Sequence, residues 1–189
     1  MTGTKYIIAI GASAGGLKAL SEFFDHTLPD GISYVITTHL DPNYKSELSR
    51  IIQGHSKIKV CEVIHDLPIE PNTVYVMPEN KVMGIRQGKL ILMPRDLSIK
   101  VNMAIDIFFK SLAEDSIFDK IAIILSGLGK DGTKGVKMLA EQGAYILVQT
   151  SLSASESSMP DSVKVSGYAN QILDPKDMPA AIIKYITSK

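Results

Sequence analysis

Residues 6–16 read YIIAIGASAGG, an apolar run from Tyr6 to Ile10 that passes into Gly11-Ala12-Ser13-Ala14-Gly15-Gly16. The apolar run has strand length. Beyond it, Leu17, Leu20, Phe24 and Leu28 recur at helical spacing until Pro29-Asp30-Gly31 supplies a turn. Strand, glycine turn and helix in that order make the first half of a βαβ unit. The next strand is Tyr34 to Thr38, ending at His39; Asp41-Pro42-Asn43 breaks the chain, and Leu48, Ile51 and Ile52 mark a helix ending near Gly54.

Further along, Lys59 to Val63 and Val74 to Met77 read as strands, and Val82 to Ile85 with Lys89 to Met93, joined through Arg86-Gln87-Gly88, as a β-hairpin. Helical spacing returns from Ala104 through Ile107, Phe108 and Leu112. It is followed by a strand at Ile121 to Leu125, a helix through Val136, Leu139 and Ala140, a strand at Tyr145 to Val148, and a last helix from Met178 to Ile186. Residues Ser151 to Ser158, rich in small hydroxyl side chains, read as a loop before Met159-Pro160. The alternation predicts an α/β fold: a doubly wound, mostly parallel sheet with helices on both faces, a β-hairpin insertion and a single domain.

Composition narrows the function classes. The chain has 189 residues, 45% of them hydrophobic, enough to bury one sizeable core. Twenty Lys and Arg balance twenty Asp and Glu, so no basic surplus argues for nucleic acid or an anionic membrane surface. No apolar run approaches the roughly 18 residues of a membrane span, and no signal sequence opens the chain, which predicts a cytoplasmic protein without membrane insertion. The one cysteine, Cys61, excludes an internal disulfide and a multi-cysteine zinc site, and no His and carboxylate spacing suggests a metal.

The chemistry lies where strands end. In an open parallel sheet the carboxyl ends of the strands share one edge, where crevices form. Ser13, His39 and the glycine loop Ser126-Gly127-Leu128-Gly129-Lys130-Asp131-Gly132 all follow strands. A serine hydroxyl needs a base to take its proton, an imidazole serves near neutral pH, and a carboxylate fixes the imidazole tautomer. Ser13, His39 and Asp131 fit those roles. Backbone N–H groups at Ala14 and around Leu128 are candidates for holding a developing oxyanion.

Each feature also has a plainer reading. A glycine-rich turn between strand and helix is most often a phosphate or dinucleotide cradle. Against that, the second strand ends in a histidine where a dinucleotide site would carry an acidic residue. Asp131 beside Gly132, taken alone, reads as a turn or helix-capping residue, the commoner use of Asp beside Gly. His26, His55 and His65 fit surface or capping roles, Cys61 a small core hydrophobe, and Lys130, Lys134 and Lys137 a solvated helical face.

Six segments in order carry a more specific signal: GASAGG at Gly11 to Gly16, THLDP at Thr38 to Pro42, VYVMP at Val74 to Pro78, IDIFFKSLAED at Ile105 to Asp115, ILSGLGKDGTKG at Ile124 to Gly135, and Met159-Pro160. Together they resemble the catalytic domain of the chemotaxis protein-glutamate methylesterases, the CheB family. The HLDP and FFKSLAED wording is similar to domains of this kind joined to a CheR-type methyltransferase. The resemblance implies that residues 1–189 are one methylesterase catalytic domain with no receiver domain in this chain. It further implies that Ser13 is nucleophile, His39 base and then acid, and Asp131 the orienting carboxylate, with no cofactor and no metal.

The implied reaction is hydrolysis of glutamate γ-methyl esters on the cytoplasmic helical region of methyl-accepting chemotaxis receptors, giving glutamate and methanol for sensory adaptation. Deamidation of receptor glutamines is a second activity the resemblance carries. A methyltransferase or a receiver domain is a further implied partner. Two departures stand out: Leu128 replaces a family methionine whose part in oxyanion binding is through its backbone, and Asp161 stands where relatives often carry a basic residue. Met159, Pro160 and Asp161 are expected to flank the substrate, and the residues from Ser151 to Asp161 to emerge beside the site. A helical protein substrate also leads us to expect a shallow edge. The competing readings are a catalytically idle scaffold using the same sheet edge, and an esterase or deamidase acting on a non-chemotaxis protein.

Overall fold

The computed structural model describes residues 5–39, 47–96 and 98–189. In chain order its elements are β1 (Tyr6–Ala12), α1 (Gly16–Phe24), β2 (Ser33–Thr38), α2 (Leu48–His55), β3 (Lys59–Glu62), β4 (Leu67–Pro68), β5 (Thr73–Val76), β6 (Lys81–Arg86), β7 (Lys89–Pro94) and α3 (Ala104–Glu114). There follow β8 (Asp119–Ile124), α4 (Thr133–Glu141), β9 (Tyr145–Gln149), α5 (Ser158–Ser166), β10 (Gln171–Leu173) and, after a 3-10 turn at Pro175–Asp177, α6 (Met178–Thr187). Seven strands form one parallel sheet in the order β10-β9-β8-β1-β2-β5-β3.

The central strands are apolar throughout because both faces of the sheet are covered. Along β1, Ile7 and Ala9 belong to one core with Val35, Phe108, Phe109, Val136 and Met159, while Ile8 and Ile10 belong to the other with Phe23, Phe24, Ile52, Met178 and Ile182. The two-residue side-chain period of a strand thus divides one apolar run between two helix layers. Complete burial of Ile7, Ile8 and Ile10 contributes about 1.5–3 kcal/mol for each side chain. The expected hairpin is β6–β7, in register from Lys81↔Pro94 to Arg86↔Lys89. With β4 it forms a separate antiparallel sheet of three strands, and Met83, Ile85 and Leu90 of the hairpin join the α3 core.

Several boundaries differ from the sequence reading. Helix α1 ends at Phe24, four residues before Leu28, which packs on the core from beyond the helix. Helix α5 was not expected: in Ser158–Ser166 only Met159, Pro160 and Val163 are buried, too few to write a helical period. Pro160 is tolerated because it falls in the first turn, where its missing N–H has no helical acceptor. Strands β4 and β10, of two and three residues, are too short to leave a pattern. The Asp41-Pro42-Asn43 break lies outside the described residues. Among the described residues no helix is long and apolar enough to cross a membrane.

Candidate active site

The three strands that precede the candidate residues are neighbours. β1 lies between β2 and β8, with Ala12 opposite Thr38 and Gly11 opposite Ile124, so the chain leaves all three strands at nearly one level. The first crossover runs from β1 to β2 on one side, and later strands fill the other side. The site therefore sits at the switch point of the sheet.

Ser13, His39 and Asp131 meet there. Ser13 Oγ lies 3.0 Å from His39 Nδ1, and His39 Nε2 lies 2.6 Å from Asp131 Oδ2. A carboxylate only accepts, so Nε2 carries the ring proton and Nδ1 is left to accept from Ser13. The ring is presented the other way round from the familiar serine-protease triad, in which Nε2 serves the serine. Either imidazole nitrogen can take a proton. His39 keeps one-fifth of its side chain exposed, whereas Asp131 is almost fully buried.

Two glycines bring the Ser13 turn and the glycine loop together. Gly15 has φ +72°, and a Cβ there would stand 2.5 Å from Ser155 Cβ. A Cβ on Gly127 would lie 2.9 Å from Ser13 Cβ and 2.7 Å from Met159 Cε. The turn is tied down by Ser13 N–H donating to Ser126 O at 2.9 Å and Gly16 N–H donating to Ser13 O at 2.8 Å. Among the described residues the N–H groups of Ala14 and Leu128 have no protein partner, which leaves both available as oxyanion donors.

Asp131 is held by more than the histidine. Its Oδ2 also accepts from Ile105 N–H at 3.0 Å, and its Oδ1 from Asp106 N–H at 2.9 Å and Gly132 N–H at 2.8 Å. Ile105 and Asp106 are the second and third residues of α3, so Asp131 does for that helix what an N-cap side chain does, from outside the helix. The capping reading and the orienting reading describe one carboxylate.

The segment after β9 packs on the same edge. Gly127 N–H donates to Glu156 O at 2.9 Å and Met159 N–H to Gly127 O at 3.0 Å, while Ser158 Oγ accepts from Gly129 N–H at 2.9 Å. Met159 and Pro160 are buried, and so support the loop from beneath. Asp161 is half-exposed, but its carboxylate is engaged: Lys164 Nζ lies 2.5 Å away, and Ser151 and Ser157 donate to it at 2.7 and 2.6 Å. Hydrogen bonds from Lys164, Ser157 and Ser151 hold its carboxyl down at about 2. Its charge is thus already answered by Lys164.

Two residues to which the sequence assigns no separate role organise this edge. Ser126 Oγ donates to Ala14 O at 2.8 Å and accepts from Glu156 N–H at 2.9 Å, and Gln149 Oε1 accepts from Ser126 N–H at 2.7 Å. Buried polar side chains at strand ends are the signal, but burial is invisible in the sequence. The edge is also not shallow. A hollow of about 250 Å³ lies beside Ser13 and His39, lined by Leu17, Leu20, Leu48 and Ile51. On the other side a hollow of about 690 Å³ runs past His39 and Asp131 between Val101, Met103 and Leu128, with Lys130 and Lys134 at its rim. Those two lysines belong to the site, whereas Lys137 faces Glu141 at 4.0 Å.

The remaining candidates lie elsewhere. His55 ends α2 and meets Asp25 Oδ1 at 2.7 Å, and His65 Nδ1 lies 2.9 Å from the Asp66 carbonyl. Cys61 is half-buried on β3, and burial pushes its thiol above the usual range, which disfavours a thiolate nucleophile.

The family model described as CheB methylesterase matches residues 8–182. The chain belongs to the CheB methylesterase family. Within that family it is similar to the protein-glutamate methylesterase/protein-glutamine glutaminase of Bacillus licheniformis, 31% identical over 96% of this chain and 53% of the relative. The protein of the same name from Ralstonia nicotianae is 28% identical over 90% of this chain and 46% of the relative. The chain therefore spans about half the length of these curated relatives. The crystal structure of the Thermotoga maritima CheB methylesterase catalytic domain superposes with a TM-score of 0.83 at 28% identity, covering 98% of this chain and all of that one. The doubly wound CheB fold, with its added antiparallel sheet, is the fold of this chain.

Proposed function

We propose that residues 1–189 form a protein-glutamate methylesterase catalytic domain that hydrolyses glutamate γ-methyl esters on the cytoplasmic helical region of chemotaxis receptors. The observation that carries this reading is the hydrogen-bonded chain Ser13–His39–Asp131 within a member of the CheB family. Ser13 Oγ attacks the ester carbonyl carbon as His39 Nδ1 takes its proton, and the carbonyl oxygen becomes an oxyanion held by the N–H groups of Ala14 and Leu128. Asp131 stabilises the imidazolium through Nε2. Collapse breaks the carbon–methoxy bond, Nδ1 returns its proton to the leaving oxygen, and methanol departs from an acyl-Ser13 ester. Water then attacks that ester, its proton passes to Nδ1 and on to Ser13 Oγ, and free glutamate is released. A receptor glutamine follows the same path with ammonia as the leaving group.

No step calls for a cofactor. A helical substrate lying over the edge would reach the apolar hollows on either side of His39, and the cations of Lys130 and Lys134 favour an acidic receptor surface. We place the reaction in the cytoplasm, with a CheR-type methyltransferase or a receiver domain as a functional partner. Incubating the protein with a methylated receptor fragment and measuring released methanol tests the reading. Release proportional to ester hydrolysed is the expected result, and a fragment that keeps its methyl groups under enzyme excess contradicts it.

A further inference from the structure

Helices α3 and α4 begin next to one another, and apart from Asn102 Oδ1, which accepts the Ala104 N–H of α3 at 3.1 Å, the side chains that serve their first turns come from the neighbouring helix or the loop leading into it. α3 is preceded by Met103 and α4 by Gly132, and neither makes a capping hydrogen bond. Instead the two helices exchange carboxylates. Asp131, on the loop leading into α4, receives the Ile105 and Asp106 N–H groups of α3; Asp106, in the first turn of α3, receives the Gly135 N–H of α4 on its Oδ1 at 2.8 Å. Gly135 is the third residue of α4, the position an N-cap side chain ordinarily serves. Asp106 is 8% exposed and lines the larger hollow beside Asp131. It stands within the IDIFFKSLAED segment, yet takes no part in the reaction sequence above.

We infer that Asp106 is a positioning residue, whose bond to Gly135 locks the start of α3 against α4 and so fixes the backbone donors that aim Asp131 at His39. The inference rests on the methylesterase reading for its kinetic consequence, though not for its geometry. Asp106 works at both ends of the exchange, since its N–H binds Asp131 Oδ1 while its side chain binds Gly135. Freeing the side chain leaves the Gly135 N–H of α4 without its acceptor and unties the first turn of α3 from α4, as happens at helix ends when N–H groups lose fixed partners. Asp131 then loses its fixed donors. Keeping a second carboxyl here has a cost: burial and the nearby Asp131 charge both push Asp106 upward, against the Gly135 and Gly132 N–H groups and the Lys134 cation. An amide keeps the acceptor without the charge, so the amide variant separates the hydrogen bond from the carboxylate.

The test combines kinetics on a methylated receptor fragment with the proton resonance of the His39 Nε2–H, which reports the bond to Asp131 without any substrate. Asp106→Ala is expected to lower kcat by about 10- to 100-fold, the scale of a misplacement near 1 Å, with KM unchanged and the resonance lost or broadened. Asp106→Asn should restore most of kcat and the resonance. In an Asp131→Ala background, Asp106→Ala should change kcat no further, because Asp106 acts only through Asp131. Where Asp106→Ala does not fold, Asp106→Glu, which keeps the carboxyl but carries it past Gly135, should show the same kcat loss and the same silence in that background. A wild-type kcat in the Ala or Glu variant, an equal loss without Asp131, failure of Asn to rescue, or an unchanged resonance in an inactive variant would each overturn the assignment. If the wild type does not hydrolyse the ester at all, the methylesterase reading fails while the resonance still decides the role of Asp106.

Discussion

Two segments at the same sheet edge, the loop after β8 and the start of α5 after β9, each present an aspartate, and they hold it by different means. Asp131, after β8, is buried and accepts from three backbone N–H groups and one imidazole. Asp161, after β9, is half-exposed and is satisfied by Lys164, Ser151 and Ser157 side chains. Backbone donors at a helix start are fixed by the helix and cannot turn away, whereas serine and lysine side chains have rotamers to exchange. The first arrangement can aim a histidine; the second can anchor a loop and adjust its charge.

The sharpest way to break this contrast is Asp131→Asn. The amide must turn its NH₂ toward at least one of the four donors now facing the carboxylate. We therefore expect a loss of about 1–3 kcal/mol of stability together with a fall in kcat on the order of 10⁴, from the wrong imidazole tautomer. Thermal melts and turnover on a methyl ester measure both. A stability loss with wild-type turnover would leave Asp131 as a cap alone.

Next in size is Gly127→Ala. Met159 Cε can move aside but Ser13 Cβ, fixed in the turn, cannot, so the added methyl should cost about 1–3 kcal/mol by overpacking and reduce kcat as well. Unchanged turnover would mean that the glycine loop does not set the position of Ser13.

Asp161→Asn should have the smallest effect, with turnover within about twofold of wild type and stability within about 1 kcal/mol, as for exposed pairs. Its folded carboxyl lies near 2, below the unfolded value of 3.8, so its contribution is present above about pH 4 and is lost as pH falls toward 2. The melting difference between wild type and Asp161→Asn should therefore be flat from neutral pH to about 4 and vanish near 2. A difference that grows on acidification would reverse the sign of this account.

The two segments also differ in what their residues disclose before folding. The β8 loop was legible because glycines, an apolar strand and a strand-end aspartate each have a local physical meaning. The β9 segment read as a loop because only Met159, Pro160 and Val163 of its helix are buried, while its hold on the edge comes from Met159 N–H on Gly127 O and, just before the helix, Glu156 N–H on Ser126 Oγ. Ser13 and His39 could be paired from sequence since parallel strands share an edge. The orientation of the imidazole could not, because which nitrogen faces Ser13 depends on side-chain rotamers. The role of Asp106 leaves no mark in the sequence for a related reason: its partner, Gly135, is 29 residues away and donates from the backbone, which every residue but proline can do.

The central claim is that Ser13, activated through Nδ1 of His39, is the nucleophile toward a glutamate methyl ester. Mass spectrometry of a methylated receptor fragment after incubation with wild-type protein and with Ser13→Ala decides it most directly. The account predicts loss of methyl groups with the wild type and an intact methylated fragment with Ser13→Ala, provided the variant melts like the wild type. Demethylation by Ser13→Ala at a rate near the wild type's would contradict it.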